Sequence, residues 1–386
     1  MKLIHLSDLH IGKRVNEFSM LEDQEYILKE ITDIIEAERP DGVMIAGDVY
    51  DKPVPAAEAV RLFDAFLTGI ADLEVPVFMI SGNHDSPERI SFGSQLMRGR
   101  RVYIAPVYAG AVKPVELKDE FGIVRVYMLP FVKPATVHRY FPEEGIGDYD
   151  QALRCAVGRI MGKCGEPEIA FDPTARNILI AHQFVAGAAC CESEELSIGG
   201  LDQVGADVFD EFDYVALGHL HGPQKVGRDT LRYCGTPLKY SFSEARHKKS
   251  VTVVNLSEKG NVQLETRPLT PLRDLREIRG SYDQVTARTF YQDMAVEDYL
   301  HITLTDEEDI LDAIGCLRAI YPNIMKLDYD NRRTREGHTV EAAAVRQKTP
   351  QELFMELYQL QNNQEMSPEQ QELALGLMEE LWEDKL

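Results

Sequence analysis

The chain has 386 residues and a formal net charge of −23, a length that allows two domains or one large domain with an appendage. Its 44% hydrophobic and 27% charged residues are ordinary for a globular protein, and no apolar run reaches the roughly 20 residues needed to cross a bilayer. The negative charge weighs against a protein that grips nucleic acid by bulk electrostatics, but it does not exclude a nuclease whose bound cations or partner protein carry the positive charge.

The first residues, MKLIHLSDLH, lack the basic-then-apolar layout of a secretion signal, so a cytoplasmic location is expected. A buried strand, KLIHLS, opens the chain, followed by an amphipathic helix from Met20 to Glu38 with Leu21, Leu28, Ile31 and Ile35 on one face. The strand GVMIAGDVY comes next, then a helix starting near Pro55 that carries Val60, Phe63, Leu67 and Ile70. The strand VPVFMIS, a helix from Glu88 to Arg98 and the strands RVYIA and IVRVYMLP complete a β-α-β half. From Arg176 the strands NILIAHQF, YVALGHLH and LRYCGTP and the hairpin SVTVVNL–EKGN–VQLETRP come closer together. They predict a second, more antiparallel sheet packed on the first.

Pro268 and Pro271 mark a boundary. The expected domains are therefore 1–268, a smaller α/β unit over 269–345 and a tail of helices over 346–386. The small unit reads as LREIRG, YLHITLT, a helix from Glu307 to Ala319, and IMKLDYD. In the tail, Thr349-Pro350-Gln351-Glu352 and Ser367-Pro368-Glu369-Gln370 are capping boxes. They open one helix bearing Leu353, Leu357 and Leu360 and another bearing Leu373, Leu377, Leu381 and Trp382. Those helices either pack on their own domain or dock a partner. The six cysteines, Cys155, Cys164, Cys190, Cys191, Cys234 and Cys316, hold no CxxC pair and read as reduced thiols.

Five apolar strands end in metal-binding side chains: Asp8 with His10, Asp48, Asn83 with His84 and Asp85, His182, and His219 with His221. Each motif alone is weak, because Asp and Asn form turns and most histidines bind nothing. Their shared position is the signal, since strands deliver their last residues to one edge of a sheet. Alternation on a strand end would point Asp8 and His10 the same way. Asp, Asn and His donors suit Mn²⁺, Fe²⁺ or Zn²⁺, and seven of them suffice for two ions. Asp48 is the best bridge, because a carboxylate can span ions about 3.5–4 Å apart. His84, beside Asn83, is placed to bind a phosphate or protonate a leaving oxygen.

Asp-x-His, Gly-Asp, Gly-Asn-His-Asp, a lone His and Gly-His-x-His, in this order, resemble the calcineurin-like metallophosphoesterase superfamily. The spellings HLSDLHIGKR, AGDVYD, SGNHDSPERI, LPFVKPATV, ALGHLHGPQ and YCGTPLKYSF are closely similar to its SbcD branch, the bacterial nuclease subunits that work with SbcC. The resemblance implies an α/β fold, a four-layer metallophosphoesterase β-sandwich flanked by helices, with a small α/β capping domain and C-terminal helices. It implies two divalent ions, Mn²⁺ before others, that activate water for in-line attack on phosphorus. Asp8, His10, Asp48 and His221 would hold one ion and Asp48, Asn83, His182 and His219 the other, with His84 as the catalyst. Asp51 stands where archaeal and eukaryotic relatives have a second His, and no role is carried over for it or for the loop Gly187 to Glu194.

Lys13, Arg14 and Arg89 are candidate DNA-phosphate contacts, each also readable as a solvated charge. His138 reads as structural. The implied partners are DNA, a coiled-coil SbcC-type ATPase bound through the C-terminal helices, and a second copy of the chain meeting the first through the helices of Pro55–Ile70 and Glu88–Met97. The competing reading is a stand-alone phosphoesterase for a small phosphodiester or phosphoprotein, which the charge of −23 fits better.

Overall fold

The computed structural model describes residues 1–164, 169–194, 202–308 and 310–331, together with scattered positions between 351 and 378. Two six-stranded mixed sheets face each other in the N-terminal part. In chain order the elements are β1 (Lys2–Leu6), the short β2 (Arg14–Val15) and β3 (Phe18–Ser19), α1 (Leu21–Glu38), β4 (Gly42–Ala46), α2 (Ala57–Asp72) and β5 (Val77–Ile80). They continue with α3 (Pro87–Ile90), α4 (Ser94–Met97), β6 (Val102–Ala105), β7 (Val115–Asp119), β8 (Gly122–Leu129), α5 (Pro134–Tyr140) and α6 (Tyr149–Ile160). Then come β9 (Arg176–His182), the short β10 (Phe184–Val185) and β11 (Gln203–Val204), β12 (Tyr214–Gly218), β13 (Gln224–Val226), β14 (Arg228–Tyr233), β15 (Ser250–Leu256) and β16 (Val262–Pro268).

The first sheet runs β16-β15-β1-β4-β5-β6 and is parallel from β1 to β6, with an antiparallel hairpin added at one edge. The second runs β13-β14-β12-β9-β8-β7, again with four parallel strands at its centre and antiparallel strands only at the edges. The expectation of a more antiparallel second sheet is corrected on both counts. The β15–β16 hairpin joins the first sheet beside β1, and β8, expected in the first half's β-α-β series, pairs β9 in the second. The apolar runs of β4, β5, β9 and β12 are buried throughout, as parallel strands covered on both faces must be.

Strand periodicity splits these residues between two cores. Leu3, Met44, Ala46, Phe78 and Ile80 meet Val126, Ile178, Ile180, Tyr214 and Ala216 between the sheets. The other face of the second sheet, with Leu179, Val215 and Leu217, packs against Leu153, Ala156, Val157 and Ile160 of α6. The helices α1 and α2 bury Ile27, Ile31, Ile35, Phe63, Phe66 and Ile70. The helix expected over Glu88–Arg98 is instead two one-turn helices, because Gly93 adopts a φ of 74° between them.

The chain divides into compact units at Arg276/Glu277. Residues 269–276, expected in the second domain, pack with the first. Leu269 donates to the Lys249 carbonyl at 2.9 Å, and Arg273 grips the buried Asp23 of α1 at 3.0 and 2.9 Å. The sheet β17-β18-β19, from Leu275–Gly280, Tyr299–Leu304 and Ile324–Tyr329, belongs to the second unit except for the first two residues of β17. Over it lie α7 (Tyr282–Thr286), α8 (Arg288–Tyr291) and α9 (Ala313–Arg318), around a core of Val285, Ile302, Leu317 and Tyr321. The helix expected from Glu307 begins at Ala313.

Ser367 and Gln370 form the expected reciprocal cap, at 3.3 and 2.9 Å. Leu373 and Leu377 are exposed. Leu353, Leu357, Leu360, Leu381, Trp382 and the cap at Thr349 lie outside the described residues.

The two sheets come close together at Gly218. A Cβ there would lie 1.9 Å from the Ala46 carbonyl oxygen and 2.7 Å from His182 Nδ1. Gly218→Ala is expected to destabilise the protein by about 1–3 kcal/mol or more. Gly99→Ala, where a Cβ meets nothing within 4 Å, should stay within about 0.5 kcal/mol, both read from urea midpoints.

Candidate metal centre

The register of the parallel strands sets their ends level: Leu6 lies beside Ile45, Ala46 beside Ile80 and Gly218 beside His182. The segments that follow therefore emerge at one edge between the sheets. Asp8 and His10 are not on a strand, as their spacing suggested; β1 ends at Leu6. They sit in a loop laced to the one after β4, with Asp8 N donating to the Gly47 carbonyl at 3.1 Å and His10 N to that of Asp48 at 3.0 Å. Asp8, His10, Asp48 and His219 all have positive φ, at 52°, 45°, 48° and 110°. Such conformations cost about 1–3 kcal/mol each and persist where the surroundings impose them. Gly47 and Gly82 allow the crowding, since a Cβ on either would lie within 2.4 Å of His182 Nδ1 or 2.1 Å of Asp48 Oδ1 respectively.

All seven expected donors converge. The ring nitrogens Nε2 of His221 and His10 are 3.2 Å apart, and His10 Nε2 is 3.7 Å from Asp48 Oδ2. The same Asp48 oxygen is 3.3 Å from His182 Nε2, which lies 2.9 Å from Asn83 Oδ1, itself 3.0 Å from His219 Nδ1. Asp8 Oδ1 stands 4.0 Å from His182 Nδ1 and accepts the His219 amide at 2.9 Å. Asp48 is thus common to two groups with metal-holding spacing, one with His10 and His84 and one with Asp8 and His182.

His84 Nδ1 meets the Asp51 carbonyl at 3.1 Å, its amide donates to Asp48 Oδ1 at 2.9 Å, and its ring stands edge-on to His10. Asp85 is a clamp: its carboxylate accepts the amides of Val49, Tyr50 and Gly82 at 3.1, 3.0 and 3.0 Å, tying the β4 and β5 loops together.

The donor set fits divalent cations. His182 meets the Ala46 carbonyl through Nδ1 at 2.8 Å, so Nε2 is the ring atom turned to Asn83 and Asp48, and it becomes a metal donor once its proton is displaced. Asp8 Oδ2 and His10 Nδ1 are buried without a hydrogen-bond partner. Among the described residues no Lys or Arg pairs with Asp8 or Asp48. Nitrogen and oxygen donors without sulfur suit Mn²⁺, Fe²⁺ or Zn²⁺. The electrostatics carry the same mark. Burial pushes Asp8 up, and burial aided by the Asp48 charge pushes Asp85 up to about 7. Burial, then His182, lowers His219 to about 3. Burial opposes a charge on His182, but the Asp48 carboxylate outweighs it and holds the ring up to about 9.

Residues that the motifs did not reveal hold His221. Ser193 Oγ bridges His221 Nδ1 at 2.8 Å and Glu244 Oε1 at 2.6 Å, while Glu194 accepts the His221 amide at 2.6 Å. Glu244 is fully buried on Lys249 at 2.5 Å, and that ammonium also donates to the His221 carbonyl at 2.9 Å. The loop after His182 therefore has a role, and Ser-Glu at its end and the Glu of SFSEARHKK were the available signals. Likewise Gln24 of α1 holds the first loop, accepting from Gly12 N at 2.9 Å and donating to the His10 carbonyl at 2.8 Å.

Of the candidate DNA contacts, Lys13 is ion-paired to Asp51 at 2.7 Å, Arg14 bonds the Glu17 carbonyl, and Arg89 is exposed on α3.

Residues 1–223 match the family described as calcineurin-like phosphoesterase, and residues 271–362 the family described as type 5 capsule protein repressor C-terminal domain. The chain is 35% identical over 329 residues to the SbcD component of the SbcCD nuclease of Staphylococcus epidermidis, covering 85% of each. Among solved structures it is similar to a dimetal phosphatase from Danio rerio, at 12% identity and a TM-score of 0.40 over 69% of this chain and 96% of that one.

Two outcomes follow from the geometry. Glu244→Gln should weaken Mn²⁺ binding about 10–100-fold by calorimetry, since it loosens the group that orients His221. Because metal must displace the His182 proton, held to about pH 9, apparent Mn²⁺ affinity should rise by about tenfold between pH 7 and pH 8.

Proposed function

The chain belongs to the calcineurin-like phosphoesterase family, and from that premise we propose that it is the nuclease subunit of an SbcC–SbcD-type complex, hydrolysing DNA phosphodiester bonds with two divalent ions, Mn²⁺ first. The staphylococcal relative's name, that of a nuclease component, and its coverage of both units support this reading. The observation that carries it is the position of Asp48 Oδ2 between two groups of buried donors, with His84 beside both.

Asp8, His10, Asp48 and His221 would hold one ion, and Asp48, Asn83, His182 and His219 the other. When bound, the ions supply charge neutralisation at the phosphoryl oxygens and activation of water near neutral pH. His84 protonates the leaving sugar oxygen. Its Nδ1–H donates to the Asp51 carbonyl, which leaves Nε2 for the substrate. The lacing of the β1 and β4 loops and the Asp85 clamp fix these groups before substrate arrives, so little reorganisation is needed in the reaction.

DNA end processing, hairpin cleavage and repair in the cytoplasm, with an SbcC-type ATPase bound through the C-terminal helices, complete the proposal. The ATPase would carry part of the DNA grip that a charge of −23 denies this chain. A homodimer is supported by apolar groups left exposed around α3 and α4, Phe92 at 83% and Leu96 at 85%, with Val60 of α2 also exposed. The same net charge favours the second reading, a stand-alone phosphoesterase for a small ester.

His84→Ala is expected to lower kcat on duplex DNA by about 10²–10⁴-fold while both ions stay bound, as measured by cleavage assays and metal analysis. Turnover of a small phosphodiester but never of DNA, with or without the ATPase, would decide for the second reading.

A further inference from the structure

Beside the metal centre, a cavity of about 370 Å³ opens off Gly222, the residue after His221. Its walls include Cys191, Gln224, Arg246, His247 and Lys248. The cavity is built by fixed contacts. Gln224 holds the backbone N–H and carbonyl of Ala189, each at 2.8 Å, and also donates to the Gly222 carbonyl at 3.3 Å. His247 is anchored through its amide to the Glu244 carbonyl at 2.8 Å, and its ring lies against the ligand turn, where a Cβ on Gly222 would come within 3.2 Å of it. The loop that walls the other side is the one that grips His221 through Ser193 and Glu194.

The rim carries the cations Arg246 and Lys248, with the exposed Glu192 next to Cys191 in the chain. Lys249 is buried on Glu244 and Lys239 is paired with Asp274. Arg246 and Lys248, between them in sequence, are exposed and form no ion pair among the described residues. His247 Nδ1 is buried without a partner. The two thiols add no negative charge, since burial and then Glu194 push Cys191 up to about 12 and raise Cys190 as well. On a chain of charge −23, distant acidic groups are screened beyond roughly 10 Å at 0.1 M salt, so local cations decide where an anion settles.

We propose that this cavity is a substrate subsite that anchors a backbone phosphate of the polynucleotide next to the reacting one, with Arg246 and Lys248 as the phosphate-binding residues. Gln224 and His247 form its polar floor. The subsite rests on the nuclease reading above and extends it, because the metal cluster fits any phosphoester whereas a second phosphate site selects a chain of them. Contacts of this kind position the strand without reading its bases, so no sequence preference is expected from them.

The test uses the full-length Mn²⁺-loaded protein and its Arg246→Gln/Lys248→Gln variant, with duplex DNA at several salt concentrations and bis(4-nitrophenyl) phosphate as substrates. Losing two phosphate contacts should raise the KM for DNA about tenfold and flatten its dependence on log salt by about 2. The loss of kcat/KM on DNA should exceed that on the small ester at least fivefold. An unchanged KM and salt slope would overturn the subsite, and so would an equal loss on both substrates, which would mean only that the His221 turn had moved. A wild-type protein that turns over the small ester but not DNA would overturn the nuclease reading, and the subsite with it.

Discussion

Two carboxylates, Asp8 and Asp48, are buried where the two sheets meet, and no lysine or arginine among the described residues neutralises them. Burying an unpaired charge costs several kcal/mol, so a fold that does it needs a compensating cation. The four imidazoles around them compensate poorly, because burial drives His10 and His219 toward the neutral form and leaves His182 to carry the proton. Divalent ions at the two candidate sites would resolve the conflict. The rest of the N-terminal unit can be understood as the scaffold that keeps these groups together in spite of their mutual cost.

That scaffold has three parts. Two parallel sheet centres bring strand ends level, which sets the donors within reach of each other. Glycines at 47, 82 and 218 allow an approach that a single methyl group would block. Buried polar groups then fix the loops: Gln24 for the first, Asp85 for the second and third, and Glu244 with Lys249 and Ser193 for the last. Four donor-bearing residues in left-handed conformations show where the remaining strain is held.

Much of this was legible in the sequence, for a physical reason. A parallel strand buried on both faces writes itself as a continuous apolar run, and the donors follow directly, so Asp48, Asn83, His182 and His219 could be found by position alone. What escaped is what periodicity does not encode. The left-handed turns at Asp8 and His10 replaced the expected strand end, because φ has no signature in a short Asp-x-His segment. The β15–β16 hairpin could not be assigned to a sheet from its pattern, since pairing partners lie far apart in the chain. Ser193 was read as part of a loop and Glu244 drew no reading, because their role depends on a fold that carries them to His221 from separate segments. Lys13, read as a DNA-phosphate contact or a solvated charge, is ion-paired to Asp51 for the same reason.

The metal cluster and the substrate choice are separable. Convergent donors around one carboxylate define phosphoester chemistry, whereas polynucleotide selection must come from surfaces outside the cluster and from partners. The proposed centre turns on Asp48 being shared by both ions, and the most direct measurement is the metal content of the Asp48→Asn protein after equilibration with Mn²⁺. Two ions per chain are expected in the wild type and fewer than one in Asp48→Asn, with His219→Ala keeping one. An Asp48→Asn protein that still binds two ions would contradict the shared bridge.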